Sequence, residues 1–169
     1  MALSKIDAAN FLTGTIPQGN VANASLNAVT SLPAGVGGKV LQVVQDVFST
    51  ESGTTSTSYV AVSGFAATIT PSSTSSKILV LCSASGYINT SNAYLGTIYR
   101  GTTSLGDFGR LYSQGSALGG ILTFNYLDSP STTSATTYTY YHKVASGTGY
   151  VSVNNYTSVL TLMEISAWL

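Results

Sequence analysis

The chain has 169 residues, a formal net charge of zero and only 7% charged residues, against about 25% in an ordinary soluble domain. Its six acidic residues, six basic residues, one His and one Cys are scattered, so acid–base, nucleophilic and metal chemistry have few groups to use. No basic patch offers phosphate contacts, and no apolar run approaches the ~20 residues of a membrane helix. The composition therefore leads us to expect no enzyme, no cofactor, no metal, no nucleic-acid partner and no membrane insertion.

Residues 1–34 show neither a period of two nor one of 3.6. Apolar residues such as Ile6, Phe11, Leu12 and Ile16 stand apart among Gly, Asn, Pro and Gln. Such a segment has no core of its own and is ordered by packing on a partner or on identical copies. Ser4 and Asp7 could cap one short helical turn over Ser4–Asn10. The Gly35-Val36-Gly37-Gly38 hinge closes this part, so the expected division is an anchor over 1–38 and a folded knob over 39–169. The hinge is not a phosphate loop, because Val40 follows Lys39 where a hydroxyl is needed.

From Lys39 the pattern is that of strands. Lys39–Phe48 has apolar residues at 40, 41, 44, 47 and 48 that fit a helix as well, but its Val content and flanking Gly and Ser tip it to strand. Ser58–Val62 and Phe65–Thr70 alternate about a Ser63-Gly64 kink, with Phe65, Ala67 and Ile69 on one side. Lys77–Ser85 is apolar on both faces, as a central strand is. Ala93–Arg100 follows and turns at Gly101. Ile121–Leu127 places Leu122, Phe124 and Tyr126 together; Thr136–Val144 does the same for Tyr138, Tyr140, His142 and Val144. Tyr150–Val153 is short, and Ser158–Ala167 ends the chain apolar on both faces. Many short strands between Gly/Ser/Thr turns indicate an all-β sandwich, jelly roll or barrel. An unblunted last strand belongs inside a sheet, with one face in the core and the other covered by further subunits. Leu160, Leu162, Met163 and Ile165 are the residues for that contact.

Single residues read blandly. Cys82 is a small buried hydrophobe. His142 is assigned no chemistry, since it stands in a strand pattern without a nucleophile elbow. Asp107 and Asp128 are isolated and give only weak support to calcium. Glu164, among apolar neighbours, needs a cationic or hydrogen-bonding partner, for which Arg100, Lys77 and Lys39 are candidates. The eleven Tyr suit strands, subunit contacts or sugars; Tyr138, Tyr140 and Tyr141 are the candidates for glycan contact.

The stretches Ile78–Ile88 (ILVLCSASGYI), Ala93–Leu105 (AYLGTIYRGTTSL) and Leu160–Ala167 (LTLMEISA) resemble the C-terminal domains of bacteriophage virion proteins. Phe11–Pro17 (FLTGTIP) resembles the shaft repeats of phage fibres. The strand order is similar to the trimeric jelly rolls of the tumour necrosis factor and complement type, whose last strand faces the threefold axis. The resemblance implies a trimeric jelly-roll knob carried on an extended N-terminal anchor. It implies a non-enzymatic virion protein, assembled in the host cytoplasm and bound to other capsid or tail proteins. Ile6, Phe11, Leu12 and Ile16 would then attach to the particle. About 35 residues before the knob departs from the long adaptor of a tail fibre, which favours head decoration or a short spike. A fibre tip contacting host surface glycan is the alternative.

Overall fold

The computed structural model describes residues 40–166, within a compact unit spanning Gly38–Leu169. The capped turn at Ser4–Asn10 and the attachment residues Ile6, Phe11, Leu12 and Ile16 lie outside the described residues.

Eleven strands follow in order: β1 (Val40–Phe48), β2 (Ser52–Thr54), β3 (Val60–Ile69), β4 (Lys77–Ile88), β5 (Ala93–Arg100), β6 (Thr103–Ser104), β7 (Gly109–Tyr112), β8 (Leu118–Asp128), β9 (Thr136–Val144), β10 (Gly149–Val151) and β11 (Ser158–Ile165). The strands read from alternation are present. Gly64, at φ 84°, forms the kink in β3, where pairing with β9 shifts register between Ala61 and Ala66. The three short strands β2, β6 and β7 have no counterpart in the sequence pattern.

All pairings are antiparallel and close two sheets. The first runs β1-β11-β4-β8, with β10 and β2 continuing it where β4 outruns β11. The second runs β3-β9-β5, with β7 and β6 sharing the far edge of β5. With β2, β6 and β10 set aside, the remaining eight strands run first-eighth-third-sixth over second-seventh-fourth-fifth, which is a jelly roll. The last strand is central, between β1 and β4, as its two-sided apolar pattern requires.

The core lies between the sheets. Phe65, Ile69, Ile78, Val80, Ile98, Leu160 and Leu162 are buried in one cluster. Phe48 stacks on Phe65 with ring centroids 5.0 Å apart. A second cluster of Ile88, Tyr94, Leu122 and Val144 closes one end. Burying such side chains stabilises by about 1.5–3 kcal/mol each, so the sandwich does not need a disulfide; Cys82 is free and buried, and burial pushes its thiol up to about 12.

Most buried polar side chains are matched, Ser76 Oγ excepted. The Asp128 carboxylate accepts two hydrogen bonds from one Arg100 guanidinium nitrogen, both at 2.8 Å, and one from the Tyr138 hydroxyl at 2.7 Å. Glu164 accepts from Gln42 Nε2 (2.6 Å), the Ser72 amide (2.7 Å) and Ser72 Oγ (2.6 Å). Burial alone would raise the Glu164 pKa, but these donors outweigh burial and hold it below its ordinary value. Two of the cationic partners expected from the sequence are engaged elsewhere: Arg100 serves Asp128, and Lys77 donates to Ser129 Oγ. Lys39 lies outside the described residues.

Candidate functional site

In each strand alternate residues leave the core, so the first sheet has a second face. Cross-strand register lines it up in rows. One row is Val43, Met163, Leu79 and Leu127. The next is Gln45, Thr161, Leu81 and Asn125, and the third is Val47, Val159, Ser83 and Thr123. Val43 and Leu127 are both 55% exposed, and Val47 is 59% exposed.

The acidic residues of these strands face away from these rows. Asp46 Oδ2 accepts from the Ala66 amide in the opposite sheet; Asp128 and Glu164 are buried. Among the described residues of the four strands, only Lys77, at the margin, carries charge on the outward side. The other sheet differs. Its outer side bears Lys143, whose Nζ lies 4.2 Å from the Tyr59 ring centroid, and Arg110 over Tyr112. Tyr99 stacks on Tyr141 at 4.1 Å, and the Tyr59 hydroxyl donates to Asp107 at 2.7 Å. One face is thus apolar and hydroxylated, and the other aromatic and charged.

This arrangement splits the residues named for subunit contact. Leu160 and Leu162 are fully buried between the sheets, so they hold the fold and present nothing to a partner. Met163 and Ile165 point outward. The sequence could not separate them, because a strand apolar on both sides leaves the phase of alternation open.

The proposed glycan residues are corrected in the same way. Tyr138 and Tyr140 are core residues, pinned by Asp128 and by packing of Phe65 on the Tyr140 ring. Tyr141 alone of the three faces outward. His142, 2% exposed, sits edge-on to the Tyr94 ring with Nδ1 3.2 Å from the Tyr94 hydroxyl. Burial lowers its pKa to about 4, so it is neutral at pH 7. Among the described residues no three His, Cys, Asp or Glu side chains are grouped to hold a metal ion, and no helix is long and apolar enough to cross a membrane.

No protein-family model matches the sequence, and no curated protein matches it. Among solved structures, a chain of infectious bursal disease virus, Gx strain, is similar over 73% of this chain and 32% of its own, with TM-score 0.45 and 11% identity. A chain of the Gt strain is similar over 75% and 38%, with TM-score 0.41 and 10% identity. A mutant VP2 protein of the same virus, in derived T=1 particles, is similar over 75% and 36%, with TM-score 0.38 and 11% identity. This chain spans about a third of the length of those chains.

Missed from the sequence was a groove beyond the third row. Its floor is Ser85, Gly86, Gly119 and Gly120, and its sides are Tyr87, Ile121 and the Val153–Thr157 turn. The glycine pair opening β8 was its one visible sign, since glycine inside a strand marks an open or closely approached backbone.

Proposed function

We propose that this chain is a non-enzymatic structural protein of a virion, a homotrimeric jelly-roll knob that decorates a phage capsid or forms a short fibre. The observation that carries the reading is the outward face of the β1-β11-β4-β8 sheet. Its three rows are apolar or neutral, and its strands keep their carboxylates turned inward. Zero net charge adds no repulsion between copies.

Contiguous exposed apolar area of this kind marks an interaction surface. A second copy is the partner this face fits, because the rows alternate apolar and neutral hydrogen-bonding residues and can interleave with themselves. Met163, Val43, Leu79 and Leu127 form its apolar row, with Ile165 at the end. The threefold arrangement follows the resemblance to trimeric jelly rolls whose last strand faces the axis. Residues 1–38 are the anchor in this reading, with Ile6, Phe11, Leu12 and Ile16 attaching to the particle.

Quantitative mass spectrometry of purified particles tests the location. Head decoration gives copies in the hundreds and a short fibre gives few; absence from the particle contradicts the virion reading. Light scattering on the full chain tests the assembly. A trimer has three times the 17.4 kDa of the chain.

A further inference from the structure

We propose that the groove beside β10 and β8 is a binding site for a neutral saccharide. It lies one row beyond the proposed subunit contact, starting at the Ser85–Ile121 pair, and the inference does not depend on that contact. Its volume is about 480 Å³, within the usual ~300–1,000 Å³ of small-molecule sites.

The wall is built and held. Where β11 gives way to β10 along β4, the intervening turn is stitched to Ser85: the Ser152 amide donates to the Ser85 carbonyl at 2.8 Å, and the Ser85 amide donates to Ser158 Oγ at 3.0 Å. Ser152, Asn154 and Asn155 all have left-handed backbone, at φ 53°, 54° and 60°. Three such non-glycine residues together are sparsely populated conformations that surrounding bonds must maintain. The Asn154 backbone N–H donates to the Glu51 carboxylate at 2.9 Å. Tyr156, next along the chain, lines the groove and is 63% exposed. A preformed wall loses little freedom when a ligand enters.

The floor is bare without a packing reason at one position. A Cβ at Gly119 would stand 3.6 Å from Tyr87 Cδ2, an ordinary contact, and its φ is not left-handed. Gly86 and Gly120 differ, for their Cβ atoms would collide with Leu122 and Leu111 inside. The missing side chain at 119 therefore leaves space over the strand rather than relieving the core. Beside it, Tyr87 leans on Tyr150 with centroids 6.1 Å apart.

The lining decides the ligand class. It offers aromatic rings at Tyr87 and Tyr156, the side-chain amide of Asn154, and hydroxyls at Ser85 and Thr157, with no charged residue. A carboxylate or phosphate ligand finds no cation there. A wholly apolar ligand would strand the amide and hydroxyls without partners. A pyranose has an apolar C–H face for a Tyr ring and a rim of hydroxyls for the amide and serine groups.

The test uses the full chain and calorimetric titration with malto-, cello-, xylo-, manno- and chito-oligosaccharides, with sialyllactose as the acidic comparison. One neutral class should bind with Kd of about 1 mM or tighter. Tyr156→Ala and Gly119→Val should each weaken it by about tenfold or more at an unchanged melting temperature. Tyr141→Ala, on the opposite sheet, should bind normally. If Gly119→Val does not fold, the exposed Tyr156→Ala carries the test. Absence of binding to every neutral saccharide overturns the proposal, as does binding that survives both groove variants or is lost only in Tyr141→Ala. A fall in light-scattering mass in the groove variants, with no change in saccharide binding, assigns the groove to a second copy and also overturns it. A single-chain mass with saccharide binding intact would sink the assembly reading and leave this one standing.

Discussion

Acidification should destabilise the knob through His142, and the size of the effect can be worked from its surroundings. The side chain is buried, and its neighbours are the Tyr94 hydroxyl and the Tyr94 and Tyr140 rings. Burial lowers its pKa from 6.5 to about 4. In the unfolded chain His142 takes up a proton as pH falls through 6.5; in the folded chain it stays neutral until about 4. Stability is therefore complete above pH 6.5 and drains away between about 6.5 and 4. A difference of one pH unit between the folded and unfolded pKa is worth about 1.4 kcal/mol. The full loss is then about 3 kcal/mol, of which about 2 kcal/mol is gone by pH 5. For a domain of this size that lowers the melting temperature by roughly 5–10 °C at pH 5. His142→Gln, which keeps a hydrogen-bonding group near Tyr94, should melt lower at pH 7 but lose little between pH 7 and pH 5. The assay is thermal unfolding by circular dichroism from pH 7 to 5, above the range where Glu164 titrates. Equal pH slopes in the two proteins would refute the claim that His142 is held neutral by burial.

Other expectations follow from single contacts. Glu164→Gln should cost about 2 kcal/mol in urea unfolding, because a carboxylate with three donors becomes an amide. Since the Glu164 pKa is depressed on folding, its contribution should be full above about pH 4.3 and vanish as pH falls through the folded value. Leu162→Ala should cost about 2–5 kcal/mol by the same measurement, and Leu162→Asp should prevent folding rather than assembly alone. Gly96→Ala should also destabilise strongly, since a Cβ there runs into the buried Tyr140 hydroxyl; a melting temperature equal to that of the parent would contradict this packing.

How much of this is legible in the sequence depends on the physics of each element. Phe65, Ala67 and Ile69 are legible as an inward face, and so are Tyr138, Tyr140, His142 and Val144, because alternation against water leaves a period of two. The central place of the last strand is legible from its apolar character on both sides, but that same character hides which residues face outward. β2, β6 and β7 span only two to four residues, too few for a period to show. The partners of Glu164 come from Gln42 in a neighbouring strand and Ser72 in a turn 92 positions away, which no local pattern encodes. The groove depends on a left-handed turn at Ser152–Asn155 that contains no glycine, so the usual turn signal is missing.

The central claim is that the outward rows of the β1-β11-β4-β8 sheet bind copies of the same chain. Light scattering on the full chain and on Met163→Asp tests it most directly, with unfolding measured alongside. Met163 is on the outer side of a strand whose inner side stays intact, so the variant should remain folded while placing a carboxylate in the proposed dry contact. The account predicts three times 17.4 kDa for the parent at micromolar concentration and a single-chain mass for the variant, both with cooperative unfolding. A parent that is already a single chain, or a Met163→Asp variant that keeps the full trimeric mass, would contradict it.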